Sequence, residues 1–162
     1  MKNVLLLEEK NMKQAFAPVD LNTAAVVGAR VSMAGCDKIA IVLSMGSSTG
    51  AAVGISLKQH NAASSGTSKA LEVINPYFHK AGSATKFTKV EQTVAEDTYD
   101  LASLFAADGG IVVFEVLAED LDVNNGFTHI SVEVADSGAG KIAGGMYVLS
   151  NLRNEPGYST DV

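Results

Sequence analysis

Apolar and polar residues alternate along much of this chain, most cleanly over residues 127–136. There Thr128, Ile130, Val132 and Val134 fall on one face and His129, Ser131 and Glu133 on the other. A period of two is that of a strand with one face in a core and one in water. Apolar runs at 111–117, 127–134 and 142–149 are separated by turn-forming stretches at 118–126 and 136–140. In sequence order these three runs read as a β meander.

The first half carries the same signal. Ile39, Ile41, Leu43 and Met45 share a face, residues 46–50 are rich in Gly and Ser, and Val53, Ile55 and Leu57 share a face of the next run. Two alternating runs joined by five residues predict a hairpin. Residues 24–33 predict a further strand with Arg30 as its one charge, and 69–74 and 85–90 predict strands either side of Asn75-Pro76-Tyr77. Residues 97–107 fit two readings: a short helix through Leu101, Leu104 and Phe105, or a strand through Tyr99, Leu101, Ser103 and Phe105.

No long helical pattern intervenes, so the predicted fold is all-β, an antiparallel sandwich or barrel of about seven to eight strands. The expected core takes Ile39, Ile41, Leu43, Val53 and Ile55 from the first half. From the second it takes Val113, Ile130, Val132, Val134 and Val148. Residues 1–20 read as an N-terminal arm, 21–153 as the β domain, and 154–162 as a flexible C-terminal tail. In the arm, Val4, Leu5, Leu6 and Leu7 form an apolar tip ahead of a charged, proline-ended stem. Exposed apolar side chains in a row need a partner surface, so these four residues are the candidate contact with another subunit or a capsid.

Composition narrows the functional classes. The chain has 162 residues, 47% of them hydrophobic, enough for one domain with a core of its own. Its 18 acidic against 12 basic residues give a net charge of −6, with no basic cluster, so nucleic acid is not an expected partner. The apolar run after Met1 is short and ends at Glu8, and no run reaches the roughly 20 residues of a membrane span, so no membrane contact is expected. Cys36 stands alone, with no cationic cluster beside it in sequence to lower its pKa, and reads as a small buried residue.

Candidate chemistry is thin. Residues 137–145 are glycine-rich, but Lys141 is followed by Ile142 and position 135 is Ala135, which breaks the phosphate-loop spacing. The pair Gly144-Gly145 instead suggests the close approach of another backbone or a bulky side chain. Asp120, Asp122 and Asn124 have the spacing that opens a calcium loop. Gly126 comes one residue late, however, and Ser131 stands where a bidentate glutamate belongs, so the stretch reads as a turn. His60, His79 and His129 are widely separated. Glu115, alone in an apolar run, suits an edge or subunit contact with a basic partner. The expectation is a non-enzyme with no catalytic residue, no cofactor and no metal.

Several phrases of the sequence taken together carry a resemblance. They are Asn22-Thr-Ala-Ala with Gly28-Ala-Arg30 after it, Asp37-Lys before an apolar strand, Gly110-Ile-Val-Val-Phe-Glu-Val116, Leu121-Asp-Val-Asn-Asn-Gly-Phe127, and Tyr147-Val-Leu-Ser-Asn-Leu-Arg153. Over most of residues 20–153 the chain resembles small structural proteins of tailed bacteriophages, encoded among the head genes. The resemblance implies a virion component made in the host cytoplasm, most simply a capsid decoration or cement protein. It would bind the major capsid protein or other virion subunits, itself as a homo-oligomer. Two alternatives follow: a head–tail connector or tail subunit, and, from another class, a host-glycan binding module using Tyr77 and Phe78.

Overall fold

The computed structural model describes residues 6–47, 54–101 and 108–152. A four-residue helix, α1 (Leu6–Glu9), leads into β1 (Lys10–Asp20). There follow β2 (Val26–Val27), β3 (Val31–Ser32), β4 (Cys36–Met45), β5 (Gly54–His60), β6 (Ser68–Ala70), β7 (Tyr77–Ala81), β8 (Thr88–Val90) and β9 (Thr98–Asp100). The chain closes with β10 (Gly110–Leu117), two 3₁₀ turns (Ala118–Asp120 and Val123–Asn125), β11 (His129–Val134) and β12 (Ile142–Leu152).

These strands form two antiparallel sheets that share one core. The first, sheet A, runs β1-β12-β4-β10-β7-β8. The second, sheet B, runs β2-β11-β5-β6, with β3 also pairing β11 and β9 pairing β5. The all-β prediction holds. Twelve strands are seen among the described residues instead of seven or eight, because several are only two or three residues long and leave too little alternation to detect.

Alternation located the inner faces of the long strands. Ile39, Ile41, Leu43, Ile55, Ile130, Val132 and Val134 are fully buried, as expected. Val113 and Val148 are not: both are half-buried on the outer face of sheet A, while Val112, Phe114, Tyr147 and Leu149 fill the core. Both errors fall in runs that are apolar on both faces, where the pattern carries no phase. Val53 lies outside the described residues, as does 102–107, the larger part of the stretch with two readings. Its Thr98–Asp100 portion is strand.

Pairing differs more than burial. The predicted hairpin does not form: β4 lies in sheet A and β5 in sheet B. The predicted meander is likewise divided, with β10 and β12 flanking β4 in sheet A while β11 crosses to sheet B. Two runs that each bury one face can pair side by side or face each other across a core. Periodicity is the same in both arrangements.

The second half of the segment read as an arm is β1, an edge strand paired to β12 from Lys10↔Ser150 to Asp20↔Ile142. Its register shifts between Gln14 and Phe16 and again before Val19, and these bulges turn both Ala15 and Phe16 into the core. Bulges and Pro18 also blunt an otherwise long exposed edge. Phe16 sits over Gly145, where an added Cβ would come within 2.7 Å of the Phe16 ring and 2.8 Å of Leu43 Cδ2. That is the bulky approach the glycine pair suggested.

One contact joins the sheets through a polar atom. The strand path beside β11 breaks at Gly28 between β2 and β3, leaving Val132 without a strand partner on that side. The Gly28 N–H donates to the Val132 carbonyl at 2.8 Å, and the Val132 N–H donates to the Tyr147 hydroxyl at 3.2 Å, reaching from the other sheet. Burial pushes the Tyr147 phenol up to about 12, so it stays protonated.

Two outcomes follow. Tyr147→Phe leaves the Val132 N–H buried and unpaired and should cost about 1–3 kcal/mol in a denaturant melt. Unchanged stability would mean that the bond contributes nothing. A chain beginning at Lys10 should melt cooperatively near the parent temperature. One beginning at Leu21 loses Phe16, Ala15 and the β12 pairing, and should show no cooperative transition by calorimetry.

Candidate functional site

Of the predicted contact residues, Val4 and Leu5 lie outside the described residues. Leu6 and Leu7 lie in α1 with 57% and 41% of their surface exposed, at the point where the chain enters the edge of sheet A. The edge strand they lead into, β1, contributes Met12 to a larger apolar surface on that sheet.

That surface is the outer face of sheet A. Cross-strand neighbours share a face, so the register defines its rows. One row runs Gln14–Met146–Val42–Val113–Phe78–Lys89 across six strands. A second runs Met12–Val148–Ala40–Glu115, and a third Gly144–Ser44–Ile111–Lys80. Met146 is 43% exposed, Met12 39% and Ile111 37%, while Val42, Val113 and Val148 between them are half-buried. Where Gly144 supplies no side chain, a groove of about 310 Å³ opens between Met12, Gln14, Pro18, Val42 and Met146. The signal for this face was present in the sequence as the consecutive apolar residues Ile111–Phe114 of β10, which a strand with one wet face does not need.

The outer face of sheet B is different in kind. Its rows place Glu133 beside Ser56 and Thr98, Ser131 beside Lys58, and His129 beside His60 and Ser68. Lys58 and Glu133 pair at 2.7 Å, and Ser56 and Thr98 lie 3.4 Å apart.

At one end of that face His60 is buried between two hydroxyls, Nδ1 at 2.7 Å from Ser68 Oγ and Nε2 at 2.8 Å from Ser131 Oγ. Arg30 Nη2 donates to Ser68 Oγ at 3.2 Å, and Arg30 Nη1 donates to the carbonyls of Ala62 and Ser65. A neutral ring protonated on Nε2 satisfies the chain: Ser68 accepts from Arg30 and donates to Nδ1, and Nε2–H donates to Ser131. Burial first, then the Arg30 charge, push the His60 pKa down to about 4. Such an imidazole is a weak base at neutral pH, and its far nitrogen meets a serine instead of an orienting carboxylate. The cluster fastens the 61–68 loop to β11.

Other singled-out residues are also in structural use. Asp120 Oδ2 accepts from Asn75 Nδ2 at 2.7 Å and from the Leu117 N–H at 2.8 Å. Asp122 pairs with Lys69 and accepts from Asn125, contacts that hold its carboxyl below the usual range. Among the described residues no three His, Cys, Asp or Glu side chains are grouped to hold a metal ion. Glu115 meets Lys38 at 3.2 Å on the outer face of sheet A. The Tyr77 ring faces inward, 5.5 Å from the rings of both Tyr99 and Phe114, and Phe78 points to the opposite face, so the two form no joint aromatic platform. Cys36 is buried. No helix among the described residues is long and apolar enough to cross a membrane.

No protein-family model matches the sequence, and no curated protein matches it significantly. Among solved structures, the SPBc2 prophage-derived protein YomS is similar, with 14% identity and a TM-score of 0.40 over 91% of this chain and 99% of that one. At this distance nothing about YomS is carried over to this chain.

The His60 cluster fixes a pH dependence. Its folded pKa lies below the unfolded value of 6.5, so the stability it contributes is complete above about pH 6.5 and is lost as pH falls toward 4. The melting temperature should drop across that window, and drop less in His60→Gln. Parallel curves for the two proteins would show that His60 is not the group responsible.

Proposed function

We propose that the protein is a structural subunit of a bacteriophage virion, a decoration or cement protein that binds the assembled head and reinforces it. The observation that carries this reading is the apolar outer face of sheet A, set against a polar outer face on sheet B. A sandwich needs only its inner faces to fold. A second apolar face, rimmed by polar side chains, suits a protein whose function is contact. The sequence phrases that resemble phage head proteins supply the identity of the partner, a capsid shell.

Neither polar cluster described above is built for turnover, and a non-enzymatic role agrees with that. Weak contacts repeated over a shell reinforce it through avidity, so no single interface has to be large. Homo-oligomerisation through Leu6, Leu7 and the residues before them belongs to the same reading. A head–tail connector or tail subunit is the second reading, since the same apolar face can line a ring contact.

The test is add-back. Heads assembled without this protein, mixed with the purified chain and sedimented, should bind many copies each and resist heat or low salt better than bare heads. Binding of a single ring per particle would favour the connector. No co-sedimentation would contradict both virion-head readings.

A further inference from the structure

The charges around the apolar face of sheet A differ from those of the chain as a whole. The protein carries a net charge of −6. This face nevertheless presents Lys10, Lys38, Lys80 and Lys89 at row ends and along its rim, and Lys13 lines its groove. Two of them are neutralised within the chain, Lys38 by Glu115 at 3.2 Å and Lys89 by Glu91 at 2.5 Å. Asp20, at the far corner, is turned to the backbone, accepting from the N–H groups of Asn22 and Lys141. Lys10 and Lys80 stand at diagonally opposite corners and make no ion pair among the described residues.

From this we infer that the outer face of sheet A is the docking face, and that its occupant is a protein surface with an apolar projection edged by carboxylates. The inference rests on the reading of the protein as a head-binding subunit, and names the surface and the chemistry of the contact. The groove over Gly144 takes an apolar side chain of the partner, because Met12, Val42, Met146 and Pro18 wall it and Gly144 leaves its floor open. Carboxylates on either side meet Lys10 and Lys80. A second copy docked by a two-fold axis is disfavoured, since an isologous contact sets this lysine-rimmed face against itself. Charge complementarity selects an acidic partner, and the apolar centre supplies the burial.

The geometry also separates the two kinds of contribution. Corner lysines at the rim act mainly on encounter and on salt sensitivity, whereas the centre of the face acts on how long the complex lasts. Met146 and Ile111 are exposed enough that a carboxylate there leaves the folded chain intact, yet it would have to be desolvated when the face is covered.

The experiment uses the full chain and heads assembled without it. Wild type, Met146→Glu, Ile111→Glu, Lys80→Glu and, on the opposite sheet, Val27→Glu are each checked for a parental melt and then co-sedimented with heads over a range of salt. Met146→Glu and Ile111→Glu should bind at least about tenfold more weakly. Lys80→Glu should bind more weakly with a shallower salt dependence, and Val27→Glu should bind like wild type. Should wild type bind while both central variants bind equally well, the docking face is elsewhere, although the head-binding reading stands. Loss with Val27→Glu alone assigns the contact to sheet B and overturns the inference. If wild type sediments as a dimer that Met146→Glu dissociates, the occupant is a second copy and the acidic-partner inference fails. No binding by wild type overturns the inference together with the reading beneath it.

Discussion

The hydroxyl of Tyr147 reaches across the sandwich to the stretch of β11 that lacks a strand partner on its β2–β3 side, and much of the architecture follows from that contact. It requires Gly28, because a Cβ there would lie 2.9 Å from both the Tyr147 hydroxyl and the Val132 carbonyl. Glycine at that point splits the edge of sheet B into β2 and β3. The split exposes backbone groups that would be costly to bury unpaired, and the phenol satisfies one of them from the opposite sheet. The spacing and relative placement of the sheets are thereby tied to a single fully buried side chain, with Ile41 and Phe114 in the same cross-strand row of sheet A.

Much of the fold was legible in the sequence because the signal was local. Where one face is wet, as in 127–134, alternation gave both the strand and its inward side chains. Where both faces are apolar, as in β10 and β12, it gave the strand without the phase, and Val113 and Val148 were placed on the wrong side. Pairing was not legible at all. The connection predicted between the runs of β4 and β5 had hairpin length, yet the two strands lie in different sheets, because what decides pairing is the total core that the strands enclose together. β1 was hidden for a related reason: two bulges within Lys10–Asp20 break the period that would have marked it as a strand.

The candidate site was less legible still. Leu6 and Leu7 were visible as apolar residues needing a partner, but the larger apolar surface is assembled from six strands and exists only in the fold. Its clue in the sequence, apolar residues on the nominally outer side of β4, β10 and β12, is the same feature that obscured the phase of those strands. A strand apolar on both faces in a domain with only two layers leaves one apolar side uncovered, and the proposed contact rests on that side. His60, one of the three histidines noted in the sequence, and the Asp120–Asp122 stretch that opens like a calcium loop instead hold loops to strands. Their hydrogen-bond partners account for them.

Function on this account resides in the difference between two faces of one sandwich, sheet A against a capsid shell and sheet B toward water. Electron cryomicroscopy of intact particles carrying the protein tests that most directly, since the orientation of the sandwich is visible once its strands are resolved. The account predicts density for many copies per head, with Met146, Val42 and Ile111 against the shell and Lys58, Glu133 and His129 facing solvent. Copies seated with sheet B on the shell, or a particle surface without the protein, would contradict it.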